Sequence, residues 1–167
     1  MIKKTNRPTR SLRIRIRNSV FGKRKVTLDT SVILSDIVFD SKTAKEAVGK
    51  STTDDEIMFT TIIYDECINF TGSKKNRKNM TKDEMDKQLK ERFGGPIEID
   101  TPSVEEMKKK YWVRDDEDLK ILHSAELTRS KIIVTRDDDL LDPNMKGPKK
   151  VRIVEMYEYI GRKKSKK

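Results

Sequence analysis

Two short β-branched runs each lead into an acid, and this pattern constrains the chain more than any other feature. Val26-Thr-Leu leads into Asp29, and Ile132-Ile-Val-Thr-Arg leads into Asp137. Short apolar runs bounded by polar residues read as buried strands. Ile57-Met-Phe59, Ile97-Glu-Ile99 and Val151-Arg-Ile-Val154 have the same character. Segments with helical signals lie between them. Val32-Ile-Leu34 begins a helix after the first turn, residues 41–49 form another, and Thr60 or Thr61 caps one that runs to about Phe70. Thr81 to Arg92 reads as a charged, exposed helix closed by Gly94-Gly95-Pro96. Pro102 opens a helix reaching about Trp112, and a further one spans about 116–129, with Leu119, Leu122 and Ala125 close to one face. Strands alternating with helices at this spacing predict an α/β domain with a mostly parallel sheet.

Such sheets place their sites beyond the carboxyl ends of the strands. Asp29 and Asp137 stand at that edge. For each there is a structural alternative: Asp29 could cap the following helix, and Asp137 to Asp139 could form a solvated turn. Glu66 shares a helix face with Ile62, Ile63 and Phe70, where a carboxylate is costly unless its charge is compensated. Its alternative is a boundary position that reaches solvent. Asp118 opens an apolar helix, where the helix dipole alone would favour an acid. Taken together the four form an ordered set: strand-end Asp, helix Glu, helix-start Asp, strand-end Asp. If they converge, they repel one another unless a cation fills the gap. Hard divalent cations take oxygen ligands, and such a site can activate water and steady the leaving oxygen of a phosphodiester.

The net charge of +10 is unevenly distributed. Residues 1–25 hold ten Lys or Arg and no acid, and residues 161–167 hold five Lys or Arg. Between 26 and 160 there remain 23 bases against 28 acids, a net charge of −5. The division is therefore a basic N-terminal arm (1–25), an acidic domain (26–160) and a basic tail (161–167). It suits an enzyme that holds cations with carboxylates and a polyanion with its edges, or basic tails that serve only solubility. Within the arm, Ser11 to Asn18 alternates with period two and reads as a strand or a charged arm. No apolar run is long enough to span a bilayer, and none follows the basic start as a secretory signal would require. Cys67 is the only cysteine, which excludes an internal disulfide and points to a reducing, cytoplasmic setting.

Val26-Thr-Leu-Asp-Thr-Ser-Val-Ile33 resembles the opening strand motif of the PIN-domain nucleases. Asp118-Leu-Lys-Ile-Leu-His-Ser-Ala-Glu126, followed without gaps by Ile132-Ile-Val-Thr-Arg-Asp-Asp-Asp-Leu140, is similar to that family's closing half. Thr60-Thr-Ile-Ile-Tyr-Asp-Glu66 resembles the segment with the family's glutamate. The resemblance covers roughly residues 26–155. It implies a five-stranded, mostly parallel sheet in a three-layer α/β/α sandwich, usually dimeric. It also implies that Asp29, Glu66, Asp118 and Asp137 bind Mg²⁺ or Mn²⁺, with Asp139 assisting, Thr135 hydrogen-bonding a ligand and Asp115 one helical turn before Asp118. The implied activity is endoribonuclease hydrolysis, leaving a 5′-phosphate and a 3′-hydroxyl with no protein nucleophile. Many small prokaryotic members are toxins of the VapC type silenced by an antitoxin. The basic arm and the lysine-rich insertion at 72–95 suit an RNA-processing enzyme equally.

Lys74, Lys75, Arg77 and Lys78 in the basic loop, and Arg136 beside the acids, are the candidates for phosphate contacts. His123 is the only histidine, so mechanisms needing a histidine pair are excluded; it reads as a partly exposed helix residue. Cys67 reads as a buried hydrophobe, and Tyr111 and Trp112 as packing residues. Two other functions fit the same pattern. One is a structure-specific DNA nuclease, for whose duplex clamp the chain has little room. The other is a non-catalytic RNA-binding or assembly protein, which loss of two or more acids would favour; all four are present.

Overall fold

The computed structural model describes residues 22–162, so the alternating Ser11–Asn18 segment lies outside the described residues. Four strands, β1 (Lys25–Leu28), β2 (Glu56–Ile57), β3 (Ile132–Thr135) and β4 (Arg152–Glu155), form one sheet in the order β2-β1-β3-β4. Every pairing is parallel, with Leu28 beside Val134 and Thr135 beside Glu155. Helices α1 (Thr30–Ile37), α2 (Lys42–Asp54), α3 (Thr61–Phe70), α4 (Lys82–Phe93), α5 (Val104–Lys108), α6 (Leu119–Leu127) and α7 (Met156–Tyr159) flank it. A 3₁₀ turn, Asp116–Asp118, leads into α6.

The sheet has four strands where five were expected. The segment 97–99 contributes one bridge, in which Ile97 donates to Phe59 O at 2.7 Å and accepts from Thr61 N at 2.9 Å. Pro96 has no N–H to extend the ladder, Ile97 is itself 40% exposed, and its partner chain is already turning into α3. The helix expected from Pro102 to Trp112 is shorter, Val104–Lys108. A capping box between Ser103 and Glu106 starts it; it ends early because Tyr111 enters the core and Trp112 pairs with Lys146.

Leu28, Ile33, Ile63, Leu119, Ile121, Leu122, Ile133 and Leu140 are fully buried around the sheet. Each contributes roughly 1.5–3 kcal/mol. Met85 and Leu89 anchor the otherwise charged α4 to the same core, which explains how a helix of such polarity stays folded. Two buried hydroxyl pairs tie separate segments together: Thr27 of β1 to Ser130 in the loop before β3 at 2.7 Å, and Thr60 at the start of α3 to Ser124 of α6 at 2.8 Å. Asp55 accepts two 3.0 Å bonds from Arg24 and one from Tyr159, fastening α7 to the start of β1. No helix among the described residues is long and apolar enough to cross a membrane. The connections leave β1 toward β2 on one side and approach β3 on the other. The crevice of this parallel sheet therefore opens past the carboxyl ends of β1 and β3.

Candidate metal centre

Asp29 occupies the N-cap position of α1 without a side-chain cap bond. Instead Oδ2 accepts from Ser31 Oγ at 2.6 Å and from Thr135 Oγ1 at 2.8 Å. Thr135 Oγ1 in turn accepts from Asp137 N at 2.9 Å, so one buried hydroxyl fixes both strand-end acids. Burial raises the Asp29 carboxyl above its ordinary range, the two hydroxyls oppose this, and the charge of Asp137 adds to it.

Asp118 repeats the pattern at the start of α6: it takes the N-cap position without a side-chain cap bond. It is buried, and its Oδ2 has no hydrogen-bond partner. Burial first, then Asp137, Asp29, Asp115 and Asp139, pushes its pKa up to about 8. Ligand oxygens of Asp115, Asp118 and Asp139 all lie within 4.8 Å of one another. Glu66 is half-buried on α3, accepts a short hydrogen bond from Thr30 Oγ1, and is pushed up to about 7 by burial and the charge of Asp29. The charge of Asp29 reaches Glu66, and those of Asp137, Asp29, Asp115 and Asp139 reach Asp118, so these six carboxylates form one row. A buried orphan oxygen within a tight carboxylate group fits a hard divalent cation.

The tightest group is therefore Asp115, Asp118 and Asp139, rather than the expected foursome of Asp29, Glu66, Asp118 and Asp137. Two acids of the row also have local structural roles. Asp137 Oδ1 accepts from Asp139 N at 2.8 Å, and Asp115 Oδ1 accepts from Glu117 N at 3.1 Å. Arg136 borders the row without an ion pair among the described residues. Its backbone N–H donates to Ser31 Oγ at 3.3 Å and its guanidinium donates to Ser35.

The basic loop lies elsewhere. Asn76 is buried and organises it, donating to Thr71 O and Met80 O at 2.9 Å and accepting from Met80 N. Lys74, Lys75 and Arg77 are exposed, and Lys78 pairs with Asp40. Asp40 follows the C-terminal end of α1 whereas Asp29 precedes its N-terminus, so the loop stands roughly 12 Å or more from the acids at 1.5 Å per helical residue.

Four functional neighbours have no distinct sequence signal. Thr30 and Ser31 hold Glu66 and Asp29; only their place directly after a strand-end acid could have suggested them. Lys120 is near enough to Glu66 to lower its pKa while pairing with Glu117 at 3.1 Å. Arg114 bridges Asp139 at 3.0 Å and Asp142 at 2.6 Å. Cys67 is buried, as expected. His123 is more buried than expected, with Nε2 3.1 Å from Asp100 O; Tyr111 packs, while Trp112 is about half exposed.

No curated protein matches the sequence. Among solved structures, the chain is similar to one in the crystal structure of VapBC2 from Rickettsia felis bound to a DNA fragment from their promoter. The identity is 16%, the TM-score 0.54, and the alignment covers 78% of this chain and 98% of that one. The PIN domain family model matches residues 26–144, which include all six acids of the row. On that match, and with the parallel sheet and its carboxylate row in place, this chain belongs to the PIN domain family.

Proposed function

We propose that this protein is a Mg²⁺- or Mn²⁺-dependent endoribonuclease. The observation that carries the reading is Asp118: a buried carboxylate with an unpartnered oxygen, grouped with Asp115 and Asp139. No structural role accounts for it, and a protein gains nothing from desolvating a lone carboxylate. Asp29, Glu66, Asp118 and Asp137, with Asp139, would hold the cation. A bound divalent ion supplies charge neutralisation at the phosphate and activation of water. Thr135 and Ser31 fix the Asp29 carboxylate in one orientation, and Thr30 does the same for Glu66. Arg136, which makes no ion pair among the described residues, would meet a phosphate beside the row, and Lys74, Lys75, Arg77 and, released from Asp40, Lys78 would follow a longer strand.

The biological role is either a toxin of the VapC type or an RNA-processing enzyme. The toxin role draws on the solved relative, a VapBC pair, and would bring an antitoxin partner and a homodimer in the cytoplasm. The test is incubation of the purified chain with structured RNA and matched DNA in Mg²⁺, Mn²⁺ or EDTA, beside Asp29→Asn. Metal-dependent cleavage of RNA alone, lost in the variant, supports the proposal. Cleavage of DNA would replace it with a DNA nuclease, and RNA retention without cleavage would replace it with a binding role. Co-purification with a small acidic protein would favour the toxin over the processing enzyme.

A further inference from the structure

A second charged feature lies at the other end of the sheet. Where α6 ends and β3 and β4 begin, a cleft of about 750 Å³ is lined by Lys110, Arg129, Lys131, Lys149 and Lys150. Its one acid, Glu126, already accepts from the Tyr111 hydroxyl and lies 3.8 Å from Lys110 Nζ. The other four cations are exposed and make no ion pair among the described residues. Arg129 is also held in the left-handed region, at φ 57°, just after α6, a position that favours glycine. At this helix end the local backbone is satisfied by Arg129 N–H to Glu126 O and Ser130 N–H to Ala125 O, so the arginine side chain is not needed for the turn.

A polyanion cut at a row of carboxylates must draw its affinity from cations outside that row, because the acids repel it. In the basic loop Lys78 is already paired with Asp40. The cleft holds four unpaired cations on two separate segments, 129–131 and 149–150, roughly 20 Å from the acids along β3 at 3.3 Å per residue. We propose that this cleft is a second nucleic-acid site, which grips the phosphate backbone of a single RNA strand away from the point of cleavage. The choice of RNA as the strand rests on the ribonuclease reading; the binding of a phosphodiester backbone does not. An acidic peptide is the competing occupant that the experiment must separate.

The test is fluorescence anisotropy of a labelled, unstructured RNA oligonucleotide on the full chain in EDTA, across a salt series. The variant is Arg129→Gly with Lys149→Gln and Lys150→Gln. Glycine suits the left-handed position, so the melting temperature should not fall, and a thermal scan checks this. Single-strand binding loses about 0.7 in the slope of log K against log salt for each phosphate contact removed. Loss of three contacts should therefore flatten the slope by about 2, with the remainder set by Lys131 and the other basic segments. Mn²⁺ uptake by the acid row, read by thermal shift, should be unchanged. An unaltered slope and affinity would overturn the proposal. So would displacement by a polyglutamate peptide that leaves RNA bound. If the chain cuts no RNA but the slope still flattens, the cleft stands and the ribonuclease reading fails.

Discussion

Replacing Asp118 with Asn should make the metal-free protein more stable, the opposite of the usual result at a buried polar position. In the folded state the Asp118 carboxyl is held at about 8 against an ordinary 3.8, chiefly by burial and then by Asp137, Asp29, Asp115 and Asp139. At pH 7 folding must therefore protonate it across the interval from 3.8 to 7, which costs about 4 kcal/mol at 1.36 kcal/mol per pH unit. Asn carries no charge in either state and removes that cost. Its amide is left partly unsatisfied where Asp118 Oδ2 has no partner, which returns about 1–2 kcal/mol. The net gain is about 2–3 kcal/mol. For a chain of this size this raises Tm by about 4–12 °C in EDTA, at about 2–4 °C per kcal/mol. Divalent cation should reverse the order. Wild type gains about 4.1 kcal/mol at a thousandfold excess over Kd, more than the variant's advantage in EDTA, and the variant gains far less. Differential scanning fluorimetry at pH 7, with EDTA and then Mn²⁺, reads both effects. A Tm for Asp118→Asn equal to or below wild type in EDTA would refute the argument that this carboxylate is held there against its own solvation.

The same groups set the pH dependence of the metal-free protein. Glu66 and Asp118 are raised to about 7 and about 8, so their contribution to stability is complete below pH 4 and falls away as pH rises to 8. Burial would raise Asp55 too, but the bonds from Arg24 and Tyr159 outweigh it and hold it low, so its contribution is lost only as pH falls below 3.8. Urea midpoints in EDTA should therefore decline from pH 5 to pH 8.5, and Mn²⁺ should flatten that decline; a rising curve would contradict the assignment. Thr135→Val leaves Asp137 N and one bond to Asp29 unsatisfied, which should cost about 1–3 kcal/mol and weaken Mn²⁺ binding in calorimetry. Asn76→Ala removes three bonds that organise the basic loop. It should speed hydrogen exchange across 72–80 and cost about 1–3 kcal/mol without altering the metal response.

Much of the fold was legible in the residues because its signals are local. The runs at 26–28, 132–134 and 151–154 became strands because β-branched residues suit a buried ladder; Thr60 takes the expected N-cap position, but its hydroxyl pairs with Ser124 instead of capping. The expected strand at 97–99 was lost because a single bridge to a chain already turning helical decides it, and that geometry is not local. The acids were legible as an ordered set, but their partners were not. Only packing showed that Asp29 and Asp118 decline the caps that their positions offer, that Asp118 and Asp139 approach Asp115, and that Arg114 and Lys120 border the row. The sequence by itself determined which residues alternate between strand and helix, and which acids interrupt apolar faces. The tertiary structure decided which carboxylates share one space and which cations remain unpaired, because charge interactions depend on distances between segments as much as a hundred residues apart.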